Sequence, residues 1–390
     1  MTYSWEQRKL DDVAEFSKGS GYSKGDLIES GTPIILYGRL YTKYETSISD
    51  VDTFVEAKDG SVYSKGGEVI VPASGETAED IARAASVDKS GILLGGDLNV
   101  VMPNQDINSA FLAISISNGS SQRELARKAQ GKSVVHIHNE EIRNLVVPFP
   151  TKTEQNKIEN YFADLDHLIT LHQRKYEKLT NVKKSMFEKM FPKNNSSYPE
   201  IRFKGFTDAW EQRKLGDVLV SLQNNTLSRA DLSNESGVAK NVHYGDVLIK
   251  FGEVLDVSKE QLPMITDESV LSKYKASFLQ NGDVIVADTA EDTTVGKCSE
   301  IAGLNDEVVL SGLHTIPYRP VEKFASGYLG YYLNSSAYHN QLIPLMQGIK
   351  VTAISKSALQ DTGIVYPKSE NEQAQIGKYF QSLDHLITLH

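Results

Sequence analysis

The chain contains one sequence unit twice, and this repeat limits what it can fold into. The hexapeptide WEQRKL begins at Trp5 and again at Trp210, an offset of 205 residues. The octapeptide LDHLITLH occupies 165–172 and 383–390, an offset of 218 residues. Weaker matches between these landmarks keep the same order: Tyr37-Gly38 with Tyr244-Gly245, and Gln130-Gly131 with Gln347-Gly348. Matching ends with divergent middles indicate one architecture used twice, on different ligands or on different parts of one ligand; duplication with drift alone is the alternative.

Length and composition narrow the class of protein. At 390 residues the chain is long enough for about two or three domains, each with its own core. The formal net charge of −10 argues against non-specific binding of nucleic acid by the whole surface. The single cysteine, Cys298, excludes an internal disulfide framework and a CxxC zinc site. Because no apolar run approaches a membrane span and the start lacks the apolar core of a signal peptide, we expect a cytoplasmic protein.

Each unit begins with a body of short apolar or alternating runs, in residues 1–150 and 208–368. Gly, Asn, Asp and Ser punctuate these runs, as is typical of strands and turns. Examples of the runs are 33–37, 68–71 and 283–287. Helical patterns cover 111–116 and 323–334. We therefore predict the α+β fold class, with two tandem mixed α/β domains dominated by β structure.

The character of the sequence changes after each body at a Glu-Gln pair, which in the first copy opens a long segment free of Gly and Pro. A helix from Thr153 to Phe191 would be about 55–60 Å long at ~1.5 Å per residue. Mostly apolar side chains recur along it at alternating spacings of 4 and 3 residues, which is typical of a coiled-coil seam. The seam residues are Ile158, Phe162, Leu165, Ile169, His172, Tyr176, Leu179, Lys183, Met186 and Met190, with Leu383 and Ile387 in the second copy. We predict a helical spacer over 151–192, a polar linker over 193–207 and a shorter helix over 369–390.

Catalytic motifs are absent from the sequence. It contains no GxxxxGK[ST] phosphate loop, no HExxH, no GxSxG and no Asn-Pro-Pro-aromatic tetrapeptide of the amino-methyltransferases. His136 and His138 lie two residues apart near carboxylates, which could indicate a metal site. The second copy has no histidine in this region, so surface or nucleic-acid-facing histidines are favoured. The acidic segment 76–80 favours a turn that shapes a binding surface over acid–base catalysis.

Cations interleaved with aromatic residues give a positive signal. Segment 37–44 places two cations among three tyrosines, and segment 244–251 supplies Tyr244, Lys250 and Phe251. Arg and Lys contact phosphates and guanine, and Tyr packs against sugars or bases. A cross-strand aromatic pair on an ordinary sheet would look the same. The segment from 174 to 193 is also locally basic, which fits either a solvated helix face or one that follows phosphates.

Together these features resemble the specificity (S) subunit of Type I restriction-modification enzymes. The resemblance rests on the WEQRKL opening of each body, the Pro followed by a Glu-Gln pair, and the LDHLITLH helix, and it covers nearly the whole chain. It implies a non-catalytic, DNA-reading subunit with two target recognition domains, 1–150 and 208–368. Each domain would read one half of a bipartite, non-palindromic site. Long helices paired antiparallel as a coiled coil would hold the domains apart, so that helix length fixes the half-site separation.

The resemblance also implies partners and cofactors. The expected partners are double-stranded DNA, two modification (methyltransferase) subunits docked on the helices, and two ATP-dependent restriction subunits. S-adenosylmethionine, ATP and Mg²⁺ are expected on those partners, and no cofactor is expected in this chain. The second helix ends at His390, whereas its first copy continues to Phe191. This predicts a lopsided antiparallel pair, in which only residues 371–390 face the long first helix.

DNA contacts in that family come from variable loops, so the candidate residues are chosen by side-chain chemistry. They are Tyr37, Arg39, Tyr41, Lys43, Ser74 and Lys132 in the first body, and Tyr244, Lys250, Lys297, His314, Arg319 and Lys350 in the second. Two other functions stay open at this point. One is a duplicated protein-interaction scaffold without DNA contact, and the other is an enzyme of unrecognised type, which the missing motifs disfavour.

Overall fold

A computed structural model describes residues 5–131, 134–193 and 196–390, which form two compact units. Unit 1 is Met1–His172 and unit 2 is Gln173–His390. The boundary lies inside one continuous helix of 38 residues, Lys152–Lys189, which we call the central helix. The predicted helix 153–191 is therefore confirmed to within two residues at either end.

Unit 1 is built on two β-sheets. The larger sheet has the strand order Ala14–Lys18, Leu98–Pro103, Glu68–Pro72, Ala85–Val87, Ser47–Ile48. The smaller sheet has the order Leu93–Leu94, Thr32–Ile35, Phe54–Val55, Leu27–Ile28. Two separate pairs join Glu6–Lys9 to Val146–Phe149 and Ser74–Gly75 to Val135–His136. Its α-helices before the central helix are Arg39–Thr42, Ser109–Ser117, Gly119–Lys128 and Asn139–Arg143, and its 3-10 turns are Leu10–Asp12, Lys24–Asp26 and Asp80–Ala82.

Unit 2 repeats this topology strand for strand. Its larger sheet has the order Leu219–Ser221, Thr315–Pro320, Val284–Ala287, Cys298–Ala302, Val254–Asp256. Its smaller sheet has the order Val309–Ser311, Ala239–Val242, Met264–Ile265, Leu232–Ser233. The separate pairs are Glu211–Lys214 with Gly363–Tyr366 and Thr289–Ala290 with Thr352–Ala353. Its α-helices are Leu215–Val218, Tyr244–Ile249, Ser269–Tyr274, Tyr328–Asn334, Ser336–His339, Lys356–Gln360 and Glu370–Thr388, and its 3-10 turns are Arg229–Asp231, Lys275–Ser277 and Ile343–Leu345.

The central strands of the larger sheets explain why the apolar runs in the sequence predict strands correctly. Glu68–Pro72 is buried along its whole length between two neighbouring strands, and Val284–Ala287 is buried in the same way. β-Branched side chains pack well on such a doubly covered strand. The one charged residue in the first of these strands, Glu68, accepts hydrogen bonds from the backbone N–H groups of Lys65 and Gly66.

The Glu-Gln pair has a structural role at the start of each long helix. The Gln155 amide donates to the carbonyl of Pro150 at 3.0 Å and accepts from the N–H of Asn108 at 2.8 Å. Gln373 makes the matching bonds, to the carbonyl of Pro367 at 2.8 Å and from the N–H of Ala325 at 2.9 Å. Both glutamines are buried, so each one ties a helix start to the preceding strand and to a loop of the same body.

The predicted helix over 323–334 is too long at its start, because it begins at Tyr328. Gly327 has φ = 84°, in the left-handed region, and a Cβ there would lie 2.5 Å from the Gln381 amide nitrogen. The Gly327 N–H donates to the buried Glu300 carboxylate at 2.6 Å. This bond satisfies a donor at the helix start, where intrahelical partners are missing.

Candidate nucleic-acid interface

Each unit carries a short two-stranded pair outside its main sheets, which we call the ribbon. The ribbon of unit 1 pairs Ser74 with His136, and the ribbon of unit 2 pairs Thr289 with Ala353 in the matching register. The first strand of each ribbon directly follows the buried central strand of the larger sheet. The two ribbons are therefore equivalent positions at which the two copies carry different side chains.

Beside each ribbon lies a non-glycine residue with a left-handed backbone. Asp97 and His314 both have φ = 56°, and no other described residue apart from glycine has a positive φ. The Asp97 carbonyl accepts from the N–H of Ala73 at 2.7 Å, and the His314 carbonyl accepts from the N–H of Asp288 at 3.1 Å. Because this conformation is costly and tends to occur at functional sites, its repetition at equivalent positions marks the region as a candidate site.

In unit 1, the predicted Tyr41 contacts the ribbon, and the predicted Tyr37 packs against Tyr41. The rings of Tyr37 and Tyr41 are 6.4 Å apart, edge to face, and the Tyr41 hydroxyl donates to the Ser74 carbonyl at 2.9 Å. Burial, with Asp80 nearby, raises the pKa of Tyr41 well above its usual range, so this hydroxyl stays protonated. The Ser74 hydroxyl lies 3.1 Å from His136 Nδ1. Tyr37, Tyr41 and Ser74 border an open cleft of about 600 Å³.

In unit 2, an imidazole and a hydroxyl are also in contact at the equivalent place. The histidine is not on the ribbon here, because His314 directly precedes the strand Thr315–Pro320. His314 Nδ1 lies 3.4 Å from the Thr289 hydroxyl, and the Tyr244 ring lies 5.3 Å from the His314 ring, edge to face. Tyr244 also contacts the ring of His243 at 4.7 Å. Burial, together with the nearby Arg229, lowers the pKa of His243, so its neutral form is favoured at neutral pH.

Two of the three predicted cations of unit 1, Arg39 and Lys43, are paired within the protein. Arg39 donates to Asp52 and Glu45, each at 2.7 Å, and its side chain is only 8% exposed. Lys43 forms an ion pair with the same Asp52 at 2.8 Å. These bonds hold the short helix that follows Tyr37, which is a structural use of both cations. Lys132 lies outside the described residues.

Three predicted cations of unit 2 are also occupied. Arg319 forms two hydrogen bonds with Asp283, which is buried, and a third with a backbone carbonyl. Lys297 donates to the Leu248 carbonyl at 2.8 Å, and burial lowers its pKa. Lys250 forms an ion pair with Glu260 at 3.3 Å. Lys350, by contrast, lies exposed in the loop that leads into the ribbon.

Sequence reasoning missed Asp97, His243 and Thr289. Thr289 could have been found by extending the alignment of the two copies, because Thr289 and Ser74 occupy equivalent ribbon positions. The left-handed backbone at Asp97 and His314 has no sequence signal, since neither residue is a glycine. In the part of the chain that the structure describes, no group of three or more His, Cys, Asp or Glu could hold a metal ion.

The predicted helical seam is present in unit 2. The C-terminal end of the central helix packs against Glu370–Thr388, which we call the distal helix. The ring of Phe380 lies 4.5 Å from that of Phe187, and Lys183 pairs with Asp384 at 2.6 Å, so the two segments run antiparallel. The seam residues Leu179, Met186, Met190 and Leu383 all belong to this core.

Lys183 is the polar member of this seam. It also pairs with Glu253 at 3.0 Å, and Asp384 accepts from the Tyr331 hydroxyl at 2.7 Å. Burial lowers the pKa of Lys183, but the two carboxylates outweigh burial and raise it overall. The lysine therefore stays charged and links the central helix to Asp384 of the distal helix and to Glu253.

The seam residues near the middle of the central helix are exposed. The exposed members are Phe162, Leu165, Ile169 and Tyr176, and Tyr161, Leu168 and Leu171 beside them are exposed as well. Ile158 packs against the core of unit 1, and Ile387 is half-buried on the distal helix. A contiguous exposed apolar patch of this kind is typical of a protein–protein contact surface. No helix among the described residues is long and apolar enough to cross a membrane.

The duplicated fold, the equivalent ribbons and the antiparallel helix pair define a protein of two tandem mixed α/β domains with a long helix between them. The family model described as "Type I restriction modification DNA specificity domain" matches residues 3–181 and 207–390. The chain therefore belongs to the specificity subunits of Type I restriction-modification systems and has two target recognition domains. Specificity subunits of this family are non-catalytic.

Individual relatives agree with this assignment. The chain is 24% identical, over 411 residues, to a Methanocaldococcus jannaschii protein described as the type I restriction enzyme MjaX specificity subunit, covering 99% of this chain and 88% of that protein. The fold is similar to the crystal structure of the S subunit of a Type I restriction-modification system from M. genitalium, with a TM-score of 0.57, 13% identity, and coverage of 100% and 92%. A chain from a structure concerned with complex assembly and conformational transition of the type I R-M system gives a TM-score of 0.54, with 15% identity and coverage of 100% and 92%.

Proposed function

We propose that this subunit selects a bipartite DNA site for a Type I restriction-modification complex in the cytoplasm, and that each unit reads one half-site with its ribbon region. One observation supports the proposal above all others. The two units carry ribbons that pair in the same register, but the side chains at and beside these ribbons differ between the units. Unit 1 presents Tyr37 and His136, and unit 2 presents Tyr244, Thr289 and His314. Hydroxyl and imidazole groups can each donate or accept in a DNA groove.

Weak binding of DNA by the isolated subunit is part of this proposal. Most of the predicted cations pair internally with carboxylates, and the chain carries a net charge of −10. Neutralisation of phosphates by Lys and Arg supplies most of the non-specific affinity for DNA. In this proposal, partner subunits therefore make most of the contacts to the DNA phosphates, while the ribbons discriminate between bases.

We assign the exposed apolar patch on the central helix to docking of the modification subunits, two per complex, with two restriction subunits joining for cleavage. The patch includes Phe162, Leu165 and Ile169, which are at least one-third exposed on a rigid helix. S-adenosylmethionine, ATP and Mg²⁺ bind those partners in this proposal. The length of the central helix, about 57 Å at ~1.5 Å per residue, then sets the gap between the half-sites.

Selection from a randomised duplex library tests the function directly. The full chain is purified with its modification subunits, and bound duplexes are sequenced after washes at rising salt. We expect two short motifs separated by a constant gap. Thr289→Ala and His314→Ala should each weaken preference only in one motif, by roughly 5- to 100-fold at single base pairs.

A matched variant controls for structural damage. Ser74→Ala, at the equivalent ribbon position of unit 1, should alter only the other motif. Enrichment of no sequence at any salt, with a stable complex, would contradict the proposal and favour a protein-interaction scaffold.

A further inference from the structure

A loop in unit 2 connects the Ile343–Leu345 turn to the ribbon, and its ends are joined by hydrogen bonds. The Gln347 N–H donates to the Ala353 carbonyl at 2.9 Å, and the Ala353 N–H donates to the Gln347 carbonyl at 2.8 Å. Gly348 has φ = 123°, and a Cβ there would lie 1.9 Å from the Val351 carbonyl oxygen. Only glycine fits this close approach, so the loop has a specified shape. We call residues 347–353 the finger.

The tip of the finger is apolar and cationic. Ile349 is fully exposed, Val351 is 55% exposed, and Lys350 between them is exposed as well. Lys350 makes no hydrogen bond or ion pair to any residue in the described ranges, unlike Lys250 and Arg319. The Ile349 side chain at the tip of this closed loop is not buried within this chain. Its apolar surface can therefore be buried against a binding partner, which would stabilise the complex.

The same loop frame is present in unit 1. Gln130 and His136 exchange the equivalent pair of hydrogen bonds, at 3.1 and 2.7 Å. Gly131 has φ = 133°, with the Val134 carbonyl oxygen 1.9 Å from the position of a Cβ. Val134, the equivalent of Val351, is 49% exposed. Two copies that diverge in their middles have thus both kept this frame, although its tip sequences differ.

The finger leads directly into the candidate reading surface. Its last residue, Ala353, pairs with Thr289 across the ribbon. The Thr289 hydroxyl is 3.4 Å from the ring of His314, which contacts Tyr244. The free lysine, the exposed apolar tip and this polar cluster therefore belong to one continuous surface of unit 2.

We propose that the finger enters a groove of the DNA and that Ile349 is a specificity-determining residue, which makes apolar contact with base edges while Lys350 pairs with a phosphate. This inference rests on the proposed DNA-reading function. Apolar side chains discriminate bases through contact with the thymine methyl group, whereas a lysine on a phosphate carries no sequence information. In the finger, Ile349 thus discriminates between bases, and the adjacent Lys350 contributes affinity for any DNA sequence.

The two residues make different predictions in the duplex selection with the full chain and its modification subunits. Ile349→Ser should reduce preference at one or two base pairs of the unit 2 motif by roughly 10-fold, leaving the unit 1 motif unchanged. Lys350→Ala should weaken binding to all duplexes evenly and lower the slope of log K against log salt by about 1. Ile349→Val should keep the wild-type motif.

Val321→Ser is the matched control, because Val321 is 56% exposed and follows the end of the strand 315–320 that is remote from His314. An unchanged motif in Ile349→Ser would overturn the inference even though the wild-type complex selects a bipartite site. A wild-type complex that selects no site would instead refute the proposed function. If Ile349→Ser and Val321→Ser weaken selection equally, the effect is general and the finger has no special role.

Discussion

The octapeptide LDHLITLH occurs in two helices with different surroundings. On the central helix, Leu165 is 37% exposed and Ile169 is 54% exposed. On the distal helix, the equivalent of Leu165 is Leu383, which is 7% exposed and packs into the core of unit 2. The aromatic residue before each octapeptide differs in the same way, since Phe162 is 40% exposed and Phe380 is completely buried.

The difference shows that an amphipathic helix sequence specifies the ability to pair but not the partner. The distal helix is covered by residues 179–191, at the C-terminal end of the central helix and just beyond it, whose Leu, Met and Phe side chains complete its seam. The middle of the central helix keeps the same apolar face exposed. Burial of this face therefore depends on what packs against it, and the exposed copy is the surface to which the proposal assigns docking of the modification subunits.

The largest expected effect concerns the two equivalent phenylalanines. Phe380→Ala should destabilise unit 2 by about 3–5 kcal/mol, because the ring contacts Phe187, Phe191 and Tyr331 inside the core. Phe162→Ala should cost less than ~1 kcal/mol, because its ring is already partly in water. Urea unfolding of both full-length variants measures the difference. Equal losses would contradict the comparison.

A pH-dependent effect of roughly 3 kcal/mol is expected in unit 2 only. Burial raises the pKa of Glu300 to about 7 from an ordinary value of 4.5, although the backbone N–H groups of Gly327, Leu329 and Gly330 oppose the shift. As pH rises from ~4.5 to ~7, the unfolded state loses this proton first, so the stability contribution falls over that window and is level above it. The register-equivalent residue in unit 1 is the uncharged Ser86.

Hydrogen exchange distinguishes the two units in this prediction. After correction for intrinsic exchange, protection of 328–334 should fall between about pH 4.5 and about pH 7 and then level off, while that of 109–117 in unit 1 should lack this fall. Glu300→Gln should remove the pH-dependent part of the loss. A variant with the wild-type pH dependence would show that another group is responsible.

A smaller loss of stability is expected where the long helices begin. Glu372 is 1% exposed and bonds to Arg202 at 2.7 Å and to the Trp210 ring nitrogen at 3.2 Å, whereas its equivalent Glu154 is exposed. Glu372→Gln should cost about 2–3 kcal/mol, because it leaves the largely buried Arg202 guanidinium without its counter-charge. Glu154→Gln should change stability by less than ~0.5 kcal/mol in the same thermal unfolding measurement.

The smallest effect on stability is expected on the exposed seam. Ile169→Glu should change the free energy of unfolding by less than ~0.5 kcal/mol, because Ile169 is 54% exposed. The same change should strongly reduce co-purification of the modification subunits, since it places a charge in the proposed docking patch. Exposed Ile28→Glu, outside the helix, is the control. Full retention of the subunits by Ile169→Glu would remove this patch from the docking surface.

The sequence predicts the architecture better than the site. The repeat and the 4-3 spacing depend on periodicity, so they predict that there are two tandem units, and they predict the central helix to within two residues at either end. The repeat also predicts Tyr37 and Tyr244 as site residues, because their positions align between the two copies. The site depends on long-range geometry instead. Arg39 lies close to Asp52 only once the chain has folded, and the approach of Thr289 to His314 combines a ribbon strand with a left-handed turn.

The most direct test of the central claim is exchange of one recognition domain. Residues 208–368 are replaced by the corresponding domain of another specificity subunit, and the DNA sites methylated by the assembled complex are mapped by sequencing. The account predicts that one half of the bipartite site changes while the other half and the gap stay the same. A change in both halves, or in neither, would contradict the claim that each unit reads its own half-site.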